Sequence, residues 1–347
     1  MRQDTHGGDI YRNQVELDFS VNVSPLGMPE GVRKALVQAV SHAEEYPDIR
    51  AEKVKNALEE ALQVPKRRLV CGNGASELFM AVVHARKPEK IVLPVPSFSG
   101  YGRAAEAVGA SVCCYEMKEE HNFSPQEDLF SSLTPDVDLL FLANPNNPAG
   151  KLADPAFLGT LFRHCRDRGI WVVLDECFLE FCEEEEKHTW LRKLESFPNL
   201  AVVRSFTKIY AIPGVRLGYL ACADETAVRE IQKHLPEWNL SVFAAYAGEA
   251  ACREQEYKKK VVETVKTERE YLSHAFAGLG IRVFSSPADY LLLYTEIPLY
   301  EKLLKDGILI RDCAGFRGLG EGYYRISVKK HEDNVRLINA VKKYKNR

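Results

Sequence analysis

The sequence predicts an α/β protein in two parts: a large domain whose mixed, mainly parallel sheet lies between helices, and a smaller α+β domain. Its 347 residues exceed the usual size of a single domain. Between Leu69 and Phe206, short apolar runs typical of buried strands alternate with segments typical of helices, which is the pattern of an α/β layer structure. Residues 281–344 also mix strands with helices, but without that regular alternation.

Ahead of the alternating region, the chain begins with a loop that carries a short strand. Apolar residues alternate with polar ones over residues 17–21, so one face of this segment is expected to pack against the protein. Helices are predicted near residues 30–45 and 51–62, where apolar residues recur on one face. A long apolar-periodic stretch over residues 240–279 predicts a single hinge helix between the domains.

The alternating region supplies the strands of the predicted large domain. Each is a short apolar run bounded by glycine, proline or polar residues. These runs cover residues 69–71, 91–94, 111–115, 139–143, 170–174 and 200–206. We therefore predict a large domain over residues 29–254, and a small domain formed by residues 1–28 together with residues 255–347.

Composition and charge favour small-molecule chemistry. The formal net charge is −3, so no general attraction to nucleic acid or to an anionic membrane is expected. No apolar run approaches the roughly 20 residues that span a bilayer, and the first residues do not resemble a signal peptide. The nine cysteines are scattered without the spacing of metal ligands. We therefore expect reduced thiols, no bound metal and a cytoplasmic location.

Lys208 lies in a segment that favours covalent binding of a cofactor. The apolar run 200–203 places Lys208 where the chain leaves the sheet, which is the usual position of chemistry in α/β proteins. Burial beside Arg216 disfavours the charged ammonium, and a neutral amine can condense with an aldehyde such as that of pyridoxal phosphate (PLP). Ser205, Thr207 and Arg216 are then available to hold a phosphate. Taken alone, the segment is equally compatible with a solvated loop.

Three other segments point to the same cofactor. The glycine turn at residues 72–76 precedes a predicted helix, whose first N–H groups suit a phosphate. Asn147 follows a strand within a rigid asparagine–proline loop, from which its amide can donate to a ring oxygen. Asp175 ends an apolar strand, and a carboxylate there would keep a pyridine nitrogen protonated. Phe98 could stack on the ring, although an aromatic residue at that position is more often simple core.

The order and spacing of Asn147, Asp175, Lys208 and Arg216 resemble the fold-type I PLP enzymes of the aminotransferase class I/II family, over nearly the whole chain. The resemblance identifies the large domain as the PLP-binding domain. It implies that Lys208 binds PLP covalently, that Asn147 bonds the ring hydroxyl and that Asp175 bonds the ring nitrogen. The implied phosphate ligands are Ala75, Ser76, Ser205 and Arg216.

The resemblance also has implications for assembly and substrate. Tyr46 would reach the cofactor phosphate of the neighbouring subunit, which implies a homodimer with shared active sites. Arg325 matches the arginine that binds the anionic group of the substrate, bidentately if that group is a carboxylate. We expect Arg325, with Asn22, to hold the substrate carboxylate. His6, Arg311 and Arg317 are expected to meet a substrate phosphate, but the sequence leaves open which arginine binds which anion.

Within the family, the local motifs resemble the threonine-phosphate decarboxylases of cobalamin synthesis more than the histidinol-phosphate aminotransferases. The motifs lie at residues 6–8, 18–27, 207–218 and 311–317. Phe178 stands where aminotransferases commonly carry a tyrosine. The resemblance implies decarboxylation of L-threonine O-3-phosphate, with serine phosphate as another substrate that the sequence does not separate. Transamination of histidinol phosphate is the alternative, and a non-catalytic metabolite-binding protein is the least favoured reading.

Overall fold

The computed structural model describes residues 7–345, so the predicted substrate residue His6 lies outside the described residues. Within that range the helices are α1 (Glu30–Ala39), α2 (Glu52–Leu62), α3 (Ala75–Arg86), α4 (Gly100–Ala107), α5 (Pro155–Asp167), α6 (Glu185–His188), α7 (Phe206–Ile209), α8 (Glu225–Gln232), α9 (Val242–Ala251), α10 (Gln255–Gly278), α11 (Leu299–Lys305) and α12 (His331–Lys345). The strands are β1 (Leu17–Asp18), β2 (Leu69–Gly72), β3 (Lys90–Val95), β4 (Ser111–Glu116), β5 (Leu139–Ala143), β6 (Trp171–Asp175), β7 (Leu200–Ser205), β8 (Gly218–Cys222), β9 (Arg282–Phe284), β10 (Tyr290–Tyr294), β11 (Ile308–Leu309), β12 (Arg311–Asp312) and β13 (Tyr323–Ser327).

A seven-stranded sheet with the strand order β2-β8-β7-β6-β5-β3-β4 forms the centre of the large part of the molecule. Strands β3 to β7 pair in parallel, whereas β8 runs antiparallel to both of its neighbours. Helices cover both faces, which explains why the strands are continuous apolar runs rather than alternating ones. Val172 and Leu174 pack into the apolar cluster on one face, and Val173 packs into the cluster on the other. The predicted mixed, mainly parallel sheet is confirmed.

The carboxy-terminal part is built on a four-stranded antiparallel sheet with the order β12-β13-β10-β9. The predicted α+β character of this part is confirmed. Strand β1 pairs in parallel with β11, with Leu17 opposite Ile308, so the amino-terminal segment joins this part of the chain. The domain limits themselves stay a prediction.

The long helix predicted over residues 240–279 is instead two helices, α9 and α10, separated by residues 252–254. Gly248 lets α9 pack closely on Leu217 and on Val54 of α2. Helix α10 packs instead against α12 and strands β9 and β10. One straight helix cannot follow both surfaces, so the chain breaks between α9 and α10. The apolar periodicity of the sequence does not depend on these surfaces and therefore did not reveal the break.

Among residues 7–345, no helix combines the length and the apolar character that a membrane crossing requires.

Candidate active site

A cavity of about 110 Å³ lies at the carboxyl ends of β5, β6 and β7. Because parallel strands end at the same edge of the sheet, residues far apart in sequence meet there. Every residue predicted to bind the cofactor lines this cavity except Tyr46. The lining is Ala75, Ser76, Phe79, Phe98, Tyr101, Ala143, Pro145, Asn147, Asp175, Cys177, Phe178, Ser205, Thr207, Lys208 and Arg216.

Lys208 lies on α7, a single helical turn that follows β7 directly, at the point where the chain leaves the sheet. Ser205 caps this turn, because its hydroxyl accepts a hydrogen bond from the Thr207 N–H at 3.3 Å. Burial lowers the pKa of Lys208, and the charges of Arg325 and Arg216 act in the same direction. The amine that the sequence predicted to be partly desolvated is therefore easier to deprotonate than an exposed lysine.

Asp175 ends β6 and is held by Tyr101 and Cys177. Its Oδ1 accepts from the backbone N–H of Cys177 at 2.8 Å, and its Oδ2 accepts from the hydroxyl of Tyr101 at 2.5 Å. Burial raises the pKa of Asp175, and the hydrogen bonds from Cys177 and Tyr101 oppose that rise. The carboxylate is thus oriented within the cavity by groups on two different elements.

The start of α3 and the Ser205–Arg216 segment form a cup suited to a phosphate. Gly74 has a positive φ of 81°, and a Cβ at this position would meet the guanidinium of Arg216, with Cζ at 3.0 Å. The hydroxyls of Ser205 and Thr207 lie 2.6 Å apart. Arg216 makes no ion pair with any residue in the described range, so its charge is available to an anion. The helix N-terminus adds N–H groups to the same cup.

Arg325 lies on β13 and reaches two parts of the site. Its Nη1 donates to the Oδ1 of Asn147, and its Nη2 donates to the carbonyl of Ser20 at 2.8 Å. Its Nε is buried and has no partner among the described residues. The bond to Asn147 occupies the amide oxygen of that side chain, which leaves the NH₂ group to donate into the cavity.

The amino-terminal segment passes between Arg325 and Lys208. The carbonyl of Ser20 accepts from Arg325, and the N–H of Ser24 donates to the carbonyl of Lys208 at 2.9 Å. Asn22 lies between these two attachments, and both polar atoms of its buried side chain lack a partner in the described part of the chain. A buried amide without partners is costly, so its position favours a role in binding a polar ligand.

Neither of the two arginines that were predicted to meet a substrate phosphate lines the cavity, and they differ in exposure. Arg311 is buried on β12, directly opposite Arg325 on β13. Arg317 is exposed and lies close to Cys114 of β4, and it does not line the cavity. Arg317 therefore remains an untested prediction, and its exposed position gives it no support.

Tyr101 is the site residue that the sequence reasoning missed. It lies three residues after Phe98, and both residues line the cavity. This i, i+3 spacing at a predicted helix start was the available signal, because such residues face the same side of a helical turn. The bond partner, Asp175, lies 74 residues later, and no local pattern indicates that contact.

A larger cleft of about 650 Å³ lies on the reverse side of the 204–219 segment. Its charged groups are paired with one another rather than aimed at an open space. Arg204 contacts Glu176 at 2.7 Å and Glu185 at 2.5 Å, and Lys258 contacts Glu180 at 2.6 Å. The smaller cavity, where a lysine, a carboxylate and an arginine converge with hydroxyls, is therefore the candidate active site. Across residues 7–345, no group of three or more potential ligand side chains could hold a metal ion.

Comparisons with known proteins show the family of this chain. The family model for aminotransferase class I and II matches residues 14–341. A threonine-phosphate decarboxylase of Salmonella typhimurium is 35% identical over 349 residues, which cover 97% of this chain and 95% of that protein. A histidinol-phosphate aminotransferase of Clostridium kluyveri is 30% identical, with coverage of 94% and 93%. The solved structure of the histidinol-phosphate aminotransferase from Clostridium acetobutylicum has a TM-score of 0.89 at 28% identity and covers 95% of this chain and 99% of that chain. This chain belongs to the aminotransferase class I and II family.

Proposed function

We propose that this chain is a PLP-dependent decarboxylase that converts L-threonine O-3-phosphate to (R)-1-aminopropan-2-ol O-2-phosphate, for the side chain of cobalamin. The observation that carries the proposal is the pair Arg311 and Arg325, which lie opposite each other in neighbouring strands. The Salmonella typhimurium relative, whose name describes this decarboxylase, supports the same choice. Serine phosphate, which lacks one methyl group, is a second substrate to be compared.

Pyridoxal phosphate is the cofactor of this chain, and the residues of the cavity fit it. The cup around Gly74 and Arg216 suits the phosphate, Asp175 suits the ring nitrogen, and Lys208 supplies the amine. When bound, PLP supplies an aldehyde that takes up amines and a protonated ring that accepts an electron pair. The NH₂ group of Asn147 suits the ring hydroxyl, and Phe178 next to it offers no competing donor.

The arginine pair supports a substrate with two anionic groups. Like charges directly opposite each other in a ladder repel, and burial removes the water that would screen them. A carboxylate and a phosphate on one substrate would place one anion near each guanidinium group. In our proposal Arg325 and Asn22 hold the carboxylate, and Arg311 meets the phosphate, because Arg325 and Asn22 lie nearer to the Asn147 and Lys208 side of the site.

The binding of the substrate carboxylate by Arg325 and Asn22 selects which bond of the substrate Cα breaks. Bound PLP would take up the electron pair of the Cα bond that breaks, and the residues that orient the substrate would decide which bond that is. Arg325 is itself fixed by Ser20 and Asn147, which makes it a rigid anchor. In the proposed reaction the bond from Cα to the carboxylate carbon breaks, carbon dioxide leaves, and Lys208 delivers a proton to Cα.

We also propose that the protein is a homodimer with shared sites. Tyr46 is 82% exposed, does not line the cavity of its own chain, and contacts Trp238 at a ring-centre distance of 5.0 Å. Other large apolar side chains are exposed on α1, in the segment between α1 and α2, in the loop before α9, and at the start of α9. They are Val37, Val40, Ile49, Trp238 and Phe243. A second copy that covers this patch would bring Tyr46 to the neighbouring phosphate cup.

The free thiols fit the reducing cytoplasm, which remains our proposed location.

The activity is tested by incubating the PLP-loaded protein with L-threonine O-3-phosphate and measuring carbon dioxide and aminopropanol phosphate. We expect both products without any added keto acid, and no product from a Lys208→Ala variant. Transamination of histidinol phosphate with 2-oxoglutarate, without release of carbon dioxide from threonine phosphate, would instead establish the aminotransferase alternative. Neither activity in a protein that binds PLP would reject both enzymes.

The shared site is tested by mixing two inactive variants. Lys208→Ala and Tyr46→Ala homodimers are unfolded together, refolded as a mixture and assayed. If Tyr46 serves the neighbouring subunit, mixed dimers carry one intact site and the mixture recovers about one quarter of wild-type activity. No recovery, in a mixture shown by size to contain dimers, would contradict the shared site.

A further inference from the structure

The hydroxyl of Tyr101 and the residue Cys177 both hold Asp175. The hydroxyl donates to Oδ2 at 2.5 Å, while the backbone of Cys177 donates to Oδ1 at 2.8 Å. Oδ2, which accepts from Tyr101, keeps a lone pair for another partner. Because Asp175 lines the cavity, that remaining capacity is directed at the proposed position of the cofactor ring.

Three aromatic rings pack against the ring of Tyr101 and hold its hydroxyl toward Asp175. It stacks on Phe141 with ring centres 5.1 Å apart and an angle of 14° between the planes. The edges of Phe79 and Phe98 meet it at 5.1 Å and 5.6 Å. The side chain is only 1% exposed. Packing on three sides fixes the donor, which is the condition for a positioning hydrogen bond to act at a cofactor.

The pKa shifts of Tyr101 and Asp175 show which residue donates and which accepts the hydrogen bond between them. Burial raises the pKa of Tyr101 well above its usual value, and the neighbouring Asp175 charge adds to that rise. The phenol therefore stays protonated and remains a donor. Burial also raises the pKa of Asp175, and the bond from Tyr101 is one of the interactions that oppose this rise.

We propose that Tyr101 is a positioning residue that keeps Asp175 ionised. The proton between Asp175 and the ring nitrogen of the cofactor then stays on the nitrogen rather than on the carboxyl group. The inference rests on the proposed function, because it requires PLP in the cavity. A carboxylate without the phenol bond is a stronger base and draws the proton from the ring nitrogen to itself. The unprotonated ring accepts an electron pair less well, so the reaction slows although every group that touches the substrate is unchanged.

Replacing the phenol with a ring of the same shape tests this inference. In Tyr101→Phe the packing is retained and the donor is lost. A hydrogen bond to a charged group corresponds to a shift of about one to two pH units in the proton affinity of the acceptor. The readout is the ¹⁵N NMR signal of protein loaded with PLP labelled at the ring nitrogen, which reports protonation of that nitrogen directly. We expect the signal to move toward that of an unprotonated ring, with a fall in kcat and little change in KM.

Tyr115 provides a matched control. Its hydroxyl donates to Asp128, which is also a phenol–carboxylate bond, but neither residue lines the cavity. Tyr115→Phe is expected to leave the ring-nitrogen signal at its wild-type position. A double variant gives a second check: once Asp175→Asn has replaced the ionisable carboxylate with a neutral amide, adding Tyr101→Phe is expected to cause no further shift.

Site-specific 3-fluorotyrosine at position 101 extends the test without loss of the side chain. The more acidic phenol is a stronger donor, so the signal is expected to move in the opposite direction from that of Tyr101→Phe. The inference is overturned if loaded wild type, Tyr101→Phe and the fluorinated protein share one ring-nitrogen signal. Failure of the wild type itself to bind the labelled cofactor would instead reject the proposed function, so the two failures are distinct.

Discussion

Arg311 lies directly opposite Arg325 in the antiparallel ladder of β12 and β13, so two guanidinium groups share one face of the small sheet. Burial lowers the pKa of Arg325, and the charge of Arg311 adds to that effect. Two guanidinium groups on neighbouring strands favour a ligand with more than one anionic group, such as a substrate that carries both a carboxylate and a phosphate.

Replacing Arg311 is expected to change substrate recognition and protein stability to different extents. Arg311→Gln should lower kcat/KM for threonine phosphate by about 10- to 100-fold, because a hydrogen bond to a charged group contributes about 1.5–3 kcal/mol. The free energy of unfolding without substrate should fall by no more than about 3 kcal/mol, because Arg311 also packs over the ring of Phe316 within the protein. Steady-state kinetics and urea unfolding measure the two effects. Arg282→Gln, on the neighbouring strand β9, is the control and should leave kcat/KM unchanged. An Arg311→Gln enzyme with wild-type kcat/KM would contradict the assignment of Arg311 to the phosphate.

The close approach of Gly74 to Arg216 predicts the effect of a single methyl group. In Gly74→Ala the new Cβ meets the Arg216 guanidinium, and the residue must also adopt a positive φ of 81°. We expect the affinity for PLP to fall at least 10-fold, measured by titrating the apoprotein with PLP. Gly109→Ala is the matched control, because Gly109 has a φ of 71° but open space where its Cβ would lie. Equal PLP affinities in the two variants would contradict a role for the close approach of Gly74 to Arg216 in binding PLP.

Asp289 predicts a pH dependence of stability. Its carboxylate is fully buried without partners in the described chain, and burial raises its pKa from 3.8 to about 7, against the opposing charges of Lys208, Arg325 and Lys329. The folded state therefore binds the proton more tightly than the unfolded chain. The contribution to stability is complete below about pH 4 and is lost as the pH rises through 7, by on the order of 4 kcal/mol.

Asp289→Asn should remove this loss. Urea unfolding of the apoprotein at pH 5 and pH 8 should show a smaller fall in the free energy of unfolding for Asp289→Asn than for wild type. The exposed Asp167→Asn makes the same change in charge and should retain the wild-type pH dependence. A wild-type pH dependence in Asp289→Asn would mean that Asp289 is ionised in both states.

The buried ion pair of Arg204 and Glu176 predicts a large loss of stability when one partner is removed. Both side chains are at most 1% exposed and lie 2.7 Å apart. Arg204→Met leaves Glu176 buried and unpaired, so the free energy of unfolding should fall by about 3–5 kcal/mol. Arg253→Met, which breaks a pair with Glu249 from a largely exposed side chain, should cost no more than about 1 kcal/mol. Urea unfolding compares the two, and equal losses would contradict a role for burial. A double variant, Arg204→Met with Glu176→Leu, should recover part of the stability.

Much of the site could be predicted from local sequence. Asn147, Asp175 and Lys208 each follow an apolar strand, and parallel strands place their carboxyl ends at one edge whatever the details of packing. The cup at Gly74 and Ser76 follows in the same way from a glycine turn before a helix. The interruption between α9 and α10 could not be predicted, because apolar periodicity continues across residues 252–254 and only the surfaces beneath decide where the chain turns.

By itself, the sequence determined the class of fold, the order of the strands along the chain and the residues that meet at the sheet edge, because short-range patterns of apolar, glycine and proline residues specify these features. The tertiary structure alone decided that Arg311 faces Arg325, that Tyr101 reaches Asp175, and that Arg317 lies away from the cavity. Those relationships depend on strand register and on packing between residues far apart in the chain. Such long-range contacts are fixed only when the whole core closes.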